Sequence, residues 1–301
     1  MKRTTLFLHW GAHKTATTSL QRYLRENTRL LRKHDMTWIP QEELTSRGII
    51  GFLHGGRKHP EHEADSHRQF FEKTIKQART SRFLISHESF LSFAGDPRKG
   101  RIYPTLETGI RRFQLINVFD EVKTLFYLRD PSDFVQSVYI QNLGNVFSDP
   151  FTSYVREIDF ENLSWLPLVE VFATKWGDAK TAWKLFERIK TEDPAWYLRD
   201  YLEWLGVVAP ESATLETTNE SLSLVAMKMI QASGLTHGNT DPAVCKMLRA
   251  FLRKNFPASE YGKARLLSDD VRQEIRERLL SDNRVLFDQV FDPSELSLWG
   301  Y

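Results

Sequence analysis

The chain opens on a pattern that few folds accommodate. An apolar run, Thr4 to His9, passes through a loop of mostly small residues, Gly11 to Ser19, into a segment with apolar residues at helical spacing. The run is short and apolar at consecutive positions, as expected of a strand covered on both faces. Leu20, Tyr23, Leu24, Leu30 and Leu31, with Arg, Glu and Lys between them, form one face of an amphipathic helix. Strand, tight loop and helix in that order begin a parallel α/β sheet, because parallel neighbours need a crossover between them. The loop is also suited to anions, since the first amides of a helix have no partner within it and its dipole is positive there.

The rest of the chain continues the theme. Met36 to Ile39, stopped by Pro40, reads as a second strand. Arg82 to Ser86 reads as a third and runs into His87, Glu88 and Ser89. Lys123 to Leu128 reads as a fourth and runs into Arg129, Asp130 and Pro131. Asp130 suits a helix cap with Pro131 in the first position, and that helix continues through Phe134, Val135, Val138 and Tyr139. Helical spacing also marks Phe70 to Ala78 and Thr105 to Phe119, and a weak strand pattern marks Thr181 to Leu185. Residues 41–70 are polar and rich in Gly and His. His54, His59, His62 and His67 lack a helical i, i+4 face and stand among Gly55, Gly56 and Pro60, so they read as a polar loop or a flap over a substrate, not a metal site. The second half is helical in pattern: Ala195 to Leu205, Ser223 to Ser233, Pro242 to Lys254 and Ser268 to Val290. The fold expected is α/β: one domain over residues 1–301, with a central parallel sheet flanked by helices, a P-loop-like first strand-loop-helix and a helical C-terminal half.

Charge and cysteine content narrow the function. Lys and Arg number 41 and Asp and Glu 39, so a formal charge of +2 speaks against a nucleic-acid binder and makes any anion site local. Cys245 is the single cysteine, which excludes an internal disulfide and a multi-cysteine zinc site and fits a cytoplasmic protein. The first apolar run is too short for a signal peptide and meets Gly11 and Lys14, and no stretch approaches the length of a membrane span. Trp165, Trp176, Trp183, Trp196 and Trp204, mixed with aliphatics, read as core, and Cys245 as a small buried residue.

A nucleotide kinase loop has the form G-x-x-x-x-G-K-[ST]. Here Gly11 is followed by four residues, then Ala16, Thr17 and Thr18, and the lysine stands three places early, at Lys14. The loop shares the P-loop's shape without its lysine, and Lys14, Thr15, Ala16, Thr17, Thr18 and Ser19 crowd hydroxyls at a helix start. That string resembles the 5′-phosphosulfate loop of sulfotransferases that use PAPS (3′-phosphoadenosine 5′-phosphosulfate), typically K-[ST]-[GA]-T-[ST], with Ala16 replacing the commoner Gly. The family's second motif, an Arg at a strand end and a Ser eight residues on, resembles Arg129 and Ser137. The resemblance implies sulfuryl transfer from PAPS to a hydroxyl or amine of a small-molecule, carbohydrate or lipid acceptor, with adenosine 3′,5′-bisphosphate released and no metal required. Lys14 would steady the transferring group, Thr15 to Ser19 would hold the 5′-phosphate, and Arg129 and Ser137 the 3′-phosphate. Glu88 matches the base of carbohydrate sulfotransferases and their bacterial relatives; His87 matches that of the cytosolic branch. Asn219 to Ser223 and Ser281, Asp282 and Asn283 resemble the bacterial branch. The cytosolic Arg-Lys-Gly loop is absent, which leaves adenine contacts unassigned. Other readings of the same residues stay open: a surface pair of Arg129 with Asp130 or Asp133, a strand-end pair of His87 with Glu88, a nucleotide-dependent kinase, or a nucleotide-binding module without catalysis.

Overall fold

The structure, a computed structural model, describes residues 2–12, 15–55, 60–143, 150–176, 181–192, 195–211, 213–215, 222–233 and 241–301, with the backbone alone at 60–62, 190 and 242. Five strands, β1 (Thr5–His9), β2 (Met36–Ile39), β3 (Arg82–Ser86), β4 (Glu121–Leu128) and β5 (Thr181–Leu185), form one sheet in the order β2-β3-β1-β4-β5. Every neighbouring pair is parallel, with His9 opposite Ser86 on one side and Leu125 on the other. All the strand ends that precede functional loops therefore lie along one edge, where ligands of open α/β sheets gather.

The helices are α1 (Thr17–Glu26), α2 (Thr28–Lys33), α3 (Gln41–Ser46), α4 (Ile49–Leu53), α5 (Pro60–Gln77), α6 (Leu106–Ile116), α7 (Pro131–Asn142), α8 (Phe151–Arg156), α9 (Leu166–Lys175), α10 (Arg188–Thr191), α11 (Trp196–Trp204), α12 (Leu224–Ala232), α13 (Pro242–Asn255), α14 (Ala258–Tyr261) and α15 (Asp269–Val290). They cover both faces of the sheet, which is why β1 is apolar at consecutive positions. Leu6, Leu8 and Trp10 enter the larger core with Phe113, Trp165 and Phe172 from α6 and α9. Phe7 enters the smaller one with Leu20 and Leu24 of α1 and Tyr201 of α11.

Two local expectations differ from the structure. The single helix expected after the loop is two, broken at Asn27, whose side chain and backbone amides both donate to the Tyr23 carbonyl and end α1. Residues 41–70 are mostly helix, not loop. Pro60 sits at the first position of α5, where its missing N–H costs nothing. Ala64, His67, Phe70 and Phe71 then bury one face, and the His67 ring lies 4.9 Å from that of Phe52. His54 is also structural, its Nε2 donating to the Ser89 carbonyl at 2.5 Å. His59 lies outside the described residues, as does the side chain of His62.

α6 fixes the segment that follows β3. A Cβ on Gly109 would stand 1.8 Å from the Leu91 carbonyl oxygen, so only glycine lets this helix lie on the chain just beyond Glu88. Thr105 and Ser92 join their hydroxyls across the same seam at 2.8 Å. Gly109→Ala is therefore expected to lower stability by about 3 kcal/mol or more, through a backbone clash that no rotamer relieves. Gly51→Ala, in α4 with open space around it, should raise stability by about 0.5–1 kcal/mol. Urea midpoints of the two variants test the contrast.

Candidate active site

The loop after β1 leaves the sheet beside β4. The Trp10 amide donates to the Leu125 carbonyl and the Ala12 amide to that of Tyr127, each at 3.2 Å, so the ladder runs past the end of the strand. The Thr15 hydroxyl donates to the Ala12 carbonyl at 2.7 Å and closes the turn, while the Tyr197 hydroxyl donates to the Thr15 carbonyl from α11. Ala16 precedes α1 in the left-handed region, φ 58° and ψ 21°. A side chain costs about 1–2 kcal/mol there and glycine nothing. Ala16 thus holds a backbone conformation that a glycine would adopt without that cost. Among the described residues the start of α1 has no side-chain cap and no acidic residue in its first turn. The hydroxyls do not converge as a set: Thr15 and Thr17 are buried, Thr18 is exposed and Ser19 half-buried. His13 and Lys14 lie outside the described residues.

β3 ends at Ser86, and His87 and Glu88 enter a turn closed by the Phe90 amide on the His87 carbonyl at 3.1 Å, so their side chains part by the turn and not by strand alternation. Gln21 of α1 donates to the Ser86 carbonyl at 3.0 Å and to Glu88 Oε2 at 3.2 Å, so the carboxylate stands half-buried against the helix that the loop begins. His87 is buried; its Nδ1 accepts from the Ser89 amide at 3.0 Å, and its own amide donates to the His9 carbonyl. Of the two, Glu88 is the one on the α1 side.

Sequence reasoning missed the buried group behind Glu88. His9 Nδ1 hydrogen-bonds Ser86 Oγ at 2.9 Å, its ring packs edge-on to Tyr127 and Tyr201, and its Nε2 has no partner among the described residues. Burial pushes its pKa down to about 3, with Glu88 pulling weakly the other way. The histidine was visible as the last residue of an apolar strand; its Ser86 partner appears only with the register of β1 on β3.

Arg129 follows β4 and is mostly buried, its guanidinium 5.6 Å from the Phe186 ring centre. Desolvation lowers its pKa, opposed by Asp133, Glu187 and Asp130. Those carboxylates act on the guanidinium electrostatically, and Asp130 and Asp133 are themselves engaged with α7 amides and with Arg272 and Arg276. Asp130 caps α7 as expected, accepting from the amides of Ser132 at 2.8 Å and Asp133 at 3.1 Å. α15 adds two cations that the sequence reading did not include. Arg272 donates to Ser132 Oγ and Asp133 Oδ1 at 2.7 and 2.8 Å, and Arg276 to Asp130 Oδ2 at 3.4 Å. Their i, i+4 spacing was the available signal. Ser137 lies on α7 one turn after Asp133, half-buried. Loop and arginine are near one another: Phe186, under Arg129, packs on Tyr197, which holds Thr15.

The remaining sequence candidates are structural or lie outside the description. Asp282 accepts from Ser164 Oγ at 2.6 Å and Asn283 donates to the Tyr301 hydroxyl at 2.6 Å, while Asn219 is not described. Cys245 is buried. Among the described residues no three His, Cys, Asp or Glu side chains gather as a metal site would require, and no helix is long and apolar enough to cross a membrane.

No family model matches the chain, and no curated protein does. Among solved structures it is similar to a sulfotransferase from Alicyclobacillus acidocaldarius, at 17% identity over all of both chains with a TM-score of 0.49. It is similar to mouse sulfotransferase SULT7A1 complexed with PAP, at 13% identity over 95% of this chain and 85% of that one, TM-score 0.41. It is also similar to the sulfotransferase domain from the curacin biosynthetic pathway, at 12% identity over 92% and 98%, TM-score 0.39.

The buried histidine predicts an acid limb in stability. Its folded pKa lies below its unfolded value, so the unfolded chain binds the extra proton and stability falls as pH drops from about 6.5 towards about 3. Between pH 6.5 and 4.5 the loss attributable to His9 should reach about 2–3 kcal/mol. His9→Gln, which cannot be protonated, should flatten that limb, as read from urea midpoints across the range.

Proposed function

We propose that this protein transfers a sulfuryl group from PAPS to a hydroxyl or amine acceptor and releases adenosine 3′,5′-bisphosphate. The observation that carries this is Glu88 standing beside α1, held by Gln21, on the same wall as the loop that resembles a phosphosulfate loop. The uncapped start of α1, free of acidic residues, suits the 5′-phosphate. Glu88 would take the acceptor's proton as its oxygen or nitrogen bonds to sulfur and the bond from sulfur to the bridging oxygen breaks. Lys14 would meet the charge that grows on that oxygen, an interaction worth most in the transition state. Arg129, with Ser137, would select the 3′-phosphate, a desolvated guanidinium being a strong partner for phosphate. Asp133 and Glu187 already act electrostatically on that guanidinium, so the selectivity is a demanding requirement and the one to measure first.

Calorimetry with adenosine 3′,5′-bisphosphate and with ADP, each with and without Mg²⁺, separates this function from its rivals. The wild type should prefer the 3′-phosphorylated nucleotide without magnesium. Arg129→Ala should weaken that nucleotide about 10- to 100-fold and leave ADP nearly unchanged, since a charge-assisted contact contributes roughly 1.5–3 kcal/mol. Tighter ADP binding with magnesium would favour a kinase. Once a screen with labelled PAPS has found an acceptor class, Glu88→Gln should lower the single-turnover rate about 10²- to 10⁴-fold with nucleotide affinity kept. Full activity in Glu88→Gln beside a dead His87→Ala would move the base to His87.

A further inference from the structure

α12 and α13 pack on each other and expose an apolar face. Val244, Met247 and Phe251 follow one another at i, i+3 and i+7 on α13, and are 46, 72 and 57% exposed. Ten large hydrophobic residues are exposed among the described ones, and six of them (these three with Leu224, Met229 and Tyr261) fall between residues 224 and 261. That concentration differs from the singly scattered surface apolar residues of an ordinary monomer. The opposite side of α13 is fully engaged: Cys245 and Leu252 are buried, and Arg249 donates to the carbonyls of Leu143 and Ile140. The stripe is therefore the outward face of a well-anchored helix, not core that failed to close.

The charges beside the stripe say what it meets. Every charged residue of α12 and α13 is a cation, Lys246 and Lys254 on α13 and Lys228 on α12 being exposed. Residues 224–265 hold seven Lys and Arg against two Asp and Glu, in a chain whose whole formal charge is +2. An apolar stripe flanked by lysines on a helix lying in the surface is complementary to anionic headgroups above an acyl layer. A second copy is a poor match, since a two-fold interface would set this cationic face against itself. We propose that α12 and α13 form an interfacial surface that docks this protein on an anionic lipid bilayer, with Met247 and Phe251 entering the acyl boundary and the lysines meeting the headgroups.

Flotation of the full-length chain with vesicles of phosphatidylcholine, alone or mixed with phosphatidylserine, tests this. Recruitment is expected to the mixed vesicles, and far less to phosphatidylcholine alone. Met247→Glu with Phe251→Glu should abolish it. Lys246→Gln with Lys254→Gln should weaken the vesicle affinity about 30-fold, near the sum of two surface lysines. The four side chains are largely exposed, so unchanged thermal midpoints keep the loss specific; Phe251→Ser alone serves if the double apolar variant unfolds. No recruitment to the mixed vesicles overturns the proposal, as does recruitment that neither pair of substitutions alters. A dimer seen by light scattering that Met247→Glu abolishes would also overturn it and assign the face to a second copy.

Discussion

The hydrogen bond from the Ala12 amide to the Tyr127 carbonyl sets where the loop can go. β4 has eight residues and β1 five, and after the Trp10 amide has met the Leu125 carbonyl this bond carries the pairing two residues further along β4. With it, the loop starts flush against β4, and Thr15, Ala16 and the start of α1 follow in a fixed direction. Tyr197 holds the far side through the Thr15 carbonyl. Tyr127 anchors the same strand from below: its hydroxyl donates to Asp200, which pairs with Lys184 at 2.6 Å. Burial, with Tyr197 and Asp200 nearby, keeps that phenol protonated far above its ordinary range, so it remains a donor at any physiological pH. Each such bond adds about 1 kcal/mol net, but leaving one of these buried groups without a partner would cost more.

The polar group beneath the loop obeys the same logic with the opposite sign of charge. His9 is dry, and desolvation outweighs the attraction of Glu88 for its proton. The imidazole therefore stays neutral, and Glu88 is not neutralised from below. The carboxylate of Glu88 accepts from the side-chain amide of Gln21, which helps to orient it against α1.

Much of this was legible before any coordinates. Strands buried on both faces announce themselves as apolar runs, and β1, β3 and β4 lie within a residue or two of their patterns. Asp130, Ser223 and Ser268 cap the helices that their positions foretold. β5 was faint because it is an edge strand, half-exposed along four of its five residues. The second half of α5 was marked by helical spacing from Phe70, but its first half was hidden, because Gly55, Gly56, Pro60 and the histidines around its start read as loop. The alternation expected of His87 and Glu88 does not hold, because the strand ends at Ser86 and the two enter a turn; that Glu88 meets α1 is seen only from its contact with Gln21. The surroundings of Arg129 were beyond local pattern altogether, because Arg272 and Arg276 stand more than 140 residues away in sequence.

α7 joins the two surfaces that matter most. Its first turn carries the Asp130 cap, Asp133 and the α15 arginines, beside Arg129. Its last turn presents the Ile140 carbonyl and, just beyond, that of Leu143 to Arg249, the inward-facing cation of α13. A twelve-residue helix spans about 18 Å, so the outward stripe on α13 and the arginine at the end of β4 sit at opposite ends of one rigid element. Burial lowers the Arg249 pKa to about 10, yet the guanidinium stays charged at neutral pH and complements the negative end of the α7 dipole. Arg249 is thus a fastening, and Met247 and Phe251, one turn or less away on the same helix, are surface. The stripe of α13 is thereby tied to the end of α7 through a charged group on two carbonyls, whose loss would leave those buried acceptors without their partner.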